Sequence, residues 1–193
     1  MIKINNYAIF GGTFDPIHNG HLHLISSLLS IKRFEKLIVV PAGDPWQKRP
    51  NVSAKSRLEM VRLALRGQDV EISEIEIDRS GPSYAIDTVS ELNKQYPNKS
   101  FTWILGSDAF AEIGSWHRIN DLAKLVDFLV IQRPGSPAMK VNSDLSYQML
   151  EISALDISSS EIRKRISERE NYENLLPAPV ADYIRKHRLY GAA

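Results

Sequence analysis

An α/β fold is predicted for this chain, with a doubly wound, mostly parallel sheet and helices on both faces. Three observations predict it. Short apolar runs alternate with helix-period segments along most of the sequence. The first apolar run ends in Gly11-Gly12 just before a helical pattern. Three polar or glycine-bearing turns, at the glycine pair, at 41–48 and at 106–108, all follow predicted strands. Parallel sheets receive ligands beyond the carboxyl ends of their strands, so these turns are expected to form one site.

The elements are read in order. Residues 7–10 form a buried strand, and 21–32 a helix with Leu22, Ile25, Leu28 and Leu29 on one face. A second strand over 36–40 stops at Pro41. A loop, 41–53, carries Pro45, Trp46, Lys48, Arg49 and Pro50, and Ser53 caps a helix over 54–65. Residues 70–72 and 74–78 alternate like exposed strands. A turn at 79–82 leads into a helix over 84–95, with Ile86, Val89 and Leu92 inward. Residues 101–105 make a strand that ends at Gly106-Ser107-Asp108. Short helices are expected at 109–112 and 119–125, and a strand at 128–132 stopped by Pro134-Gly135. A polar loop covers 136–147, and 148–152 is a weaker strand. Helices at 159–167 and near 179–187 make a small helical C-terminal part. No repeat or linker divides the 193 residues, which are read as a single domain.

Composition narrows the function classes. Apolar residues make up 43% and charged residues 24%, as in soluble globular proteins. A net charge of +1 gives no reason to expect a nucleic-acid or membrane partner. The chain has no cysteine, which removes disulfides, thiolate metal sites and a cysteine nucleophile. No signal-peptide pattern and no apolar run of membrane-spanning length is present, so a soluble cytoplasmic protein is the expectation. Homo-oligomerisation is left open.

The segment Phe10-Gly11-Gly12-Thr13-Phe14-Asp15-Pro16-Ile17-His18-Asn19-Gly20-His21 carries the most chemistry. Glycines allow a sharp turn and close backbone approach to a ligand. A helix N-terminus offers free N–H groups and the positive end of a dipole, which suits phosphate. His18 and His21, three residues apart, can lie side by side on the first turn. Gly12, Thr13, Phe14, His18 and His21 are therefore candidate nucleotide-phosphate residues. His23 is expected to point elsewhere, which disfavours a histidine metal site. The P-loop, dinucleotide-fingerprint and zinc-protease patterns are all absent. A second candidate is Ile157-Ser158-Ser159-Ser160-Glu161-Ile162-Arg163, where Ser158 and Glu161 fit a capping box. Arg163 follows one turn later, and guanidinium forms forked bonds to phosphate. Alone, this segment reads equally well as a capped surface helix.

The first motif resembles the signature of the adenylyl/cytidylyltransferase superfamily, and Ser158, Ser160 and Arg163 resemble its late Ser-x-Thr-x-x-Arg element, with Ser160 in place of threonine. Gly81-Pro82-Ser83-Tyr84-Ala85-Ile86-Asp87-Thr88, Gly106-Ser107-Asp108-Ala109-Phe110, Ser115-Trp116-His117-Arg118 and the segment around Leu189-Tyr190 resemble bacterial nicotinate mononucleotide adenylyltransferases. Residues 41–48 depart from that family's common Pro-Pro-His-Lys form and resemble an actinobacterial variant.

The resemblance implies a Rossmann-like fold and transfer of an adenylyl group from ATP to nicotinate mononucleotide, with Mg²⁺ held mainly through substrate phosphates and no protein metal site. It assigns His18, His21, Lys48 and Arg163 to catalysis. Gly12, Thr13, Phe14, Ser158 and Ser160 join them around ATP. Thr88, Gly106, Asp108 and Trp116 fall to nicotinate mononucleotide, with Trp116 as a stacking surface for the pyridine ring, while Tyr84 is expected to pack. Other readings are a pantetheine-phosphate adenylyltransferase, a nucleotide-binding regulator without turnover, and a fragment of a class I aminoacyl-tRNA synthetase. The last is disfavoured by the short chain and the lack of a lysine-rich second signature.

Overall fold

The computed structural model describes residues 6–132, 145–153 and 155–192. The Pro134-Gly135 stop and all but the end of the expected 136–147 loop lie outside these residues. Within them, six strands form one sheet: β1 (Asn6–Gly12), β2 (Lys36–Pro41), β3 (Glu71–Ile72), β4 (Ser100–Gly106), β5 (Val126–Gln132) and β6 (Tyr147–Glu151). Their order is β3-β2-β1-β4-β5-β6, and every pairing is parallel. The chain moves outward from β1 to β3, then returns to place β4 against the other side of β1. The gap between β1 and β4 is thus the point where strand order reverses, and crevices open there at the strands' carboxyl ends.

Side-chain alternation along the strands builds two cores. Ala8, Phe10, Leu37, Val39, Ile104 and Leu129 face one side. They pack on α1 (Asn19–Ser30), α2 (Ala54–Ala64), α7 (Ser159–Ser167) and α8 (Ala178–Lys186). Tyr7, Ile9, Ile38, Phe101, Trp103 and Phe128 face the other. That side is covered by α4 (Ala85–Gln95), α5 (Ser107–Ala111) and α6 (Ile119–Leu122). Ile86, Val89 and Leu92 are buried, as the helical period requires. The Ser53 hydroxyl accepts the Ser56 N–H at 3.1 Å and caps α2. The predicted doubly wound sheet with a helical C-terminal part is the observed fold.

One element differs in kind. Residues 74–78 alternate apolar and polar, yet they close a single helical turn, α3 (Ile75–Asp78). The Glu74 carbonyl accepts N–H groups from Ile77 and Asp78 at 2.8 and 2.9 Å. The alternation misleads because its polar member goes inward: Glu76 is 6% exposed, and its carboxylate takes the Thr88 hydroxyl at 2.6 Å. A tertiary hydrogen bond over five residues outweighs a period-two pattern. Several boundaries also move. Helix α1 begins at Asn19 with His18 as its cap residue, and β3 shrinks to two residues, extended by the Ser73 N–H bonding the Val39 carbonyl.

Candidate active site

The first motif leaves β1 at Gly12 and turns back through Phe14, which adopts the left-handed region at φ 49°. Its ring tucks beneath the glycine. A Cβ on Gly12 would come within 2.7 Å of that ring, which explains why the turn needs glycine. Phe14 is buried against Phe10 and His21, with ring centres 5.7 and 5.1 Å apart. It therefore supports the turn from below, and its side chain is not on the ligand-facing wall.

His18 and His21 stack, with ring centres 3.7 Å apart and planes inclined by 32°. Nδ1 of His21 accepts the His18 backbone N–H at 3.2 Å, so the neutral His21 ring carries its proton on Nε2. Burial lowers His18 to about pKa 4. Burial first, and the neighbouring His18 second, hold His21 well below its ordinary value. Both imidazoles are neutral donors at pH 7, not the cations that charge neutralisation would suggest. His18 Nδ1 is buried with no hydrogen-bond partner among the described residues.

This burial links His18 to acid stability. Unfolded His18 binds a proton below its ordinary 6.5, whereas folded His18 resists until about 4. Its contribution is complete above pH 6.5 and is lost as the pH falls from there to about 4. The shift corresponds to about 3 kcal/mol at most. Burial raises the Glu76 carboxyl, an effect of opposite sign, so the comparison is made against His18→Gln. Urea unfolding at pH 7 and pH 4 is expected to show the wild type losing more stability than this variant.

Asp15 gathers the segments around the turn. Its carboxylate is 5% exposed and accepts the Asn51 N–H at 2.8 Å, the Asn51 side-chain amide at 3.2 Å and the Tyr190 hydroxyl at 2.8 Å. Its backbone carbonyl accepts Arg163 Nη1 at 2.7 Å, and Arg163 Nη2 reaches Ser160 Oγ at 3.2 Å. Ser159 donates to the Pro16 carbonyl at 2.8 Å. The two sequence motifs, almost 150 residues apart, are therefore bonded to each other. Ser158 caps α7 by accepting the Glu161 N–H at 3.1 Å. The Glu161 carboxylate turns to Arg165 at 2.9 Å, so only half of the expected capping box forms.

Two adjoining cavities, of about 250 and 200 Å³, meet at Gly106. The larger is lined by Gly12, Thr13, Trp46, Lys48, Glu76, Ser83, Ala85, Trp103 and Trp116. The smaller is lined by His18, Gly20, His21, His23, Ser107, Asp108 and Ile157. The three strand-end turns thus share one site, as the sequence predicts. Ser158, Ser160 and Arg163 line neither cavity, and three further placements differ from the expectation. Asp108 lies in the histidine cavity, because α5 starts directly after Gly106 and carries it to that side. Thr88 is fully buried between Glu76 and Arg79, off both cavity walls. His23 joins His18 and His21, because the smaller cavity runs along α1 beyond its first turn. Tyr84 packs as expected, stacked on His117 at 4.1 Å.

Arg57 and Gly43 escape a motif-based reading. Arg57 is fully buried and donates to the carbonyls of Thr13 at 2.7 Å and Gly43 at 3.0 Å. Its spacing from Met60, Val61 and Ala64, which share the buried face of α2, is the only signal of this. A Cβ on Gly43 would overlap the Glu76 carbonyl oxygen, so Gly43→Ala is expected to displace the 41–50 loop. Loss of the Gln47–Ser115 contact, 3.4 Å between side chains, in a crystal structure of that variant would report the displacement.

The cytidylyltransferase-like family model matches residues 9–165. A probable nicotinate-nucleotide adenylyltransferase of Frankia casuarinae is 40% identical over 189 residues, covering 95% of this chain and 99% of the relative. One from Clostridium tetani is 35% identical, covering 95% and 98%. The solved nicotinic acid mononucleotide adenylyltransferase of Plasmodium falciparum, complexed with NaAD, superimposes with a TM-score of 0.84 at 23% identity, covering 98% of this chain and 99% of its own. The same enzyme complexed with APC gives a TM-score of 0.79 at the same identity and coverage.

Proposed function

We propose, from the premise that this chain belongs to the cytidylyltransferase-like family and to its nicotinate-nucleotide adenylyltransferases, that it joins ATP and nicotinate mononucleotide into nicotinate adenine dinucleotide. Pyrophosphate is the second product, and the reaction serves NAD biosynthesis. The observation that supports this reading is the bond from Arg163 to the Asp15 carbonyl, which ties the second motif to the first, whose residues line two cavities that meet at Gly106.

The chemistry asks for placement more than for reactive side chains. The mononucleotide's phosphate oxygen attacks the α-phosphorus of ATP. One P–O bond forms, the bond to the β-phosphate oxygen breaks, and that oxygen leaves with the electron pair. The attacking group is already an anion, so no enzyme nucleophile or covalent intermediate is needed. Holding two anions in line and offsetting the charge that develops on the leaving group are the remaining tasks. His18 and His21 donate neutral N–H groups from the smaller cavity, where the ATP phosphates are assigned. Lys48, from the loop after β2, and Arg163, from the first turns of α7, bring positive charge. Trp116, edge-on to Trp103 with ring centres 5.9 Å apart, is the stacking surface for the pyridine ring in the larger cavity.

Among the described residues no three His, Cys, Asp or Glu side chains group as a metal cage. We propose that Mg²⁺ is carried on substrate phosphates and water, a role that requires no protein cage. When bound there, Mg²⁺ would supply charge neutralisation. No helix among the described residues is long and apolar enough to cross a membrane, and we assign the reaction to the cytoplasm.

Pyrophosphate release is the test, with ATP and either nicotinate or nicotinamide mononucleotide. Faster turnover of the acid is expected. ATP binding without pyrophosphate release in the presence of either acceptor would instead support a regulator, and release only with a pantetheine phosphate the sister transferase. Trp116→Ala is expected to raise KM for the mononucleotide about fivefold, a typical loss of one stacked ring, with less change in KM for ATP. Equal change in both would assign Trp116 to packing.

A further inference from the structure

We propose that Tyr190, far from either phosphate motif in sequence, is a positioning residue that keeps Arg163 available to the triphosphate by occupying Asp15. The inference rests on the function proposed above. Its premise is the way Asp15 is shared. A buried carboxylate must have each oxygen satisfied, or it draws in whatever charge lies near. Asn51 serves Oδ2 through two donors at 2.8 and 3.2 Å. Tyr190 serves Oδ1 at 2.8 Å. Arg163 Nη1 stands 3.9 Å from Oδ2, just outside hydrogen-bond distance, and is bonded instead to the Asp15 carbonyl.

The phenol is built to stay. Tyr190 sits in the 3-10 turn Leu189–Gly191, where Arg188, Tyr190 and Gly191 all take positive φ, at 49°, 59° and 85°. Such backbone is uncommon for non-glycine residues and persists only where surrounding contacts over-determine it. Burial and the Asp15 charge both raise the phenol above its ordinary pKa, so it remains a donor at every working pH. Two guanidiniums face this carboxylate: Arg57, committed to the Thr13 and Gly43 carbonyls, and Arg163, 3.9 Å from Oδ2, which is the one free to move when the phenol donor is removed. The Arg163 guanidinium would close the remaining gap to make a carboxylate fork, and it would leave Ser160 Oγ, its present contact 3.2 Å away at the exposed end.

Tyr190→Phe deletes only the hydroxyl. Calorimetric titration with ATP and with inorganic tripolyphosphate, alongside KM for both substrates, tests the idea in the wild type, Tyr190→Phe, Arg163→Ala and the double variant. The expected result is about tenfold weaker binding of both polyphosphates by Tyr190→Phe, the loss of one charge-assisted contact. KM for the mononucleotide is expected to be unchanged. In the Arg163→Ala background the same change is expected to have no further effect, because the phenol acts through that arginine. Equal shifts in both KM values, full additivity with Arg163→Ala, or a Tyr190→Phe protein too unstable to titrate would overturn the proposal and assign the phenol to the fold. Polyphosphate binding with the expected coupling but no pyrophosphate release would overturn the adenylyl-transfer reading and leave this inference standing.

Discussion

His18→Ala is expected to lower turnover about a hundredfold or more, the usual loss when one preorganised donor is removed from developing charge. The His18 ring is buried and stacked on His21 at 3.7 Å. Its pKa near 4 makes it a neutral donor in the free protein. Such a group contributes little to holding an already charged ground state. It contributes more as charge builds on the departing oxygen, so the effect should fall on kcat more than on KM. His21 is locked differently, since its Nδ1 is occupied by the His18 N–H. His21→Ala therefore removes both a donor and a support for the His18 backbone. Pyrophosphate release at saturating substrates measures the loss, and circular dichroism checks that the variant is folded. Unchanged turnover in folded His18→Ala would remove this residue from the chemistry.

The parts of the site that sequence makes legible are those written in local order. Gly11-Gly12 after an apolar strand, and histidines three apart at a helix start, have local causes in turn geometry and helical period. The Ser53 and Ser158 caps are likewise local, and both form. What was not legible depends on partners far along the chain. Asp15 looks like an ordinary turn residue until Asn51, Arg163 and Tyr190 are seen to converge on it. Thr88 carries a hydroxyl on the helix beside the larger cavity, but Glu76 claims that hydroxyl, and Glu76 itself hides in a strand-like alternation. Asp108 changes cavities because a helix begins one residue after the end of β4. The roles of Asp15 and Thr88 are choices between hydrogen-bond partners, and hydrophobic periodicity carries no information about such a choice.

Arg57→Met is expected to cost about 3 kcal/mol of folding stability, from two charge-assisted hydrogen bonds at roughly 1.5 kcal/mol or more each. The volume is nearly kept, so the loss is chiefly polar: the carbonyls of Thr13 and Gly43 lose their donors at 2.7 and 3.0 Å. Arg57 itself is fully buried, its Nε has no hydrogen-bond partner among the described residues, and burial lowers its pKa. Such a costly group is understandable where it ties together two loops that must not drift apart. Thr13 belongs to the glycine turn and Gly43 to the loop that carries Lys48, and both loops line the larger cavity. Activity should therefore fall together with stability, since the turn and Lys48 lose their common anchor. Arg57→Lys separates the two roles. A lysine keeps the charge but has no planar fork, so it can serve one carbonyl well and the other poorly. It is expected to recover part of the stability and little of the activity. Urea unfolding paired with initial rates would measure both, and a fully active, fully stable Arg57→Met would show that the two loops keep their spacing without the arginine.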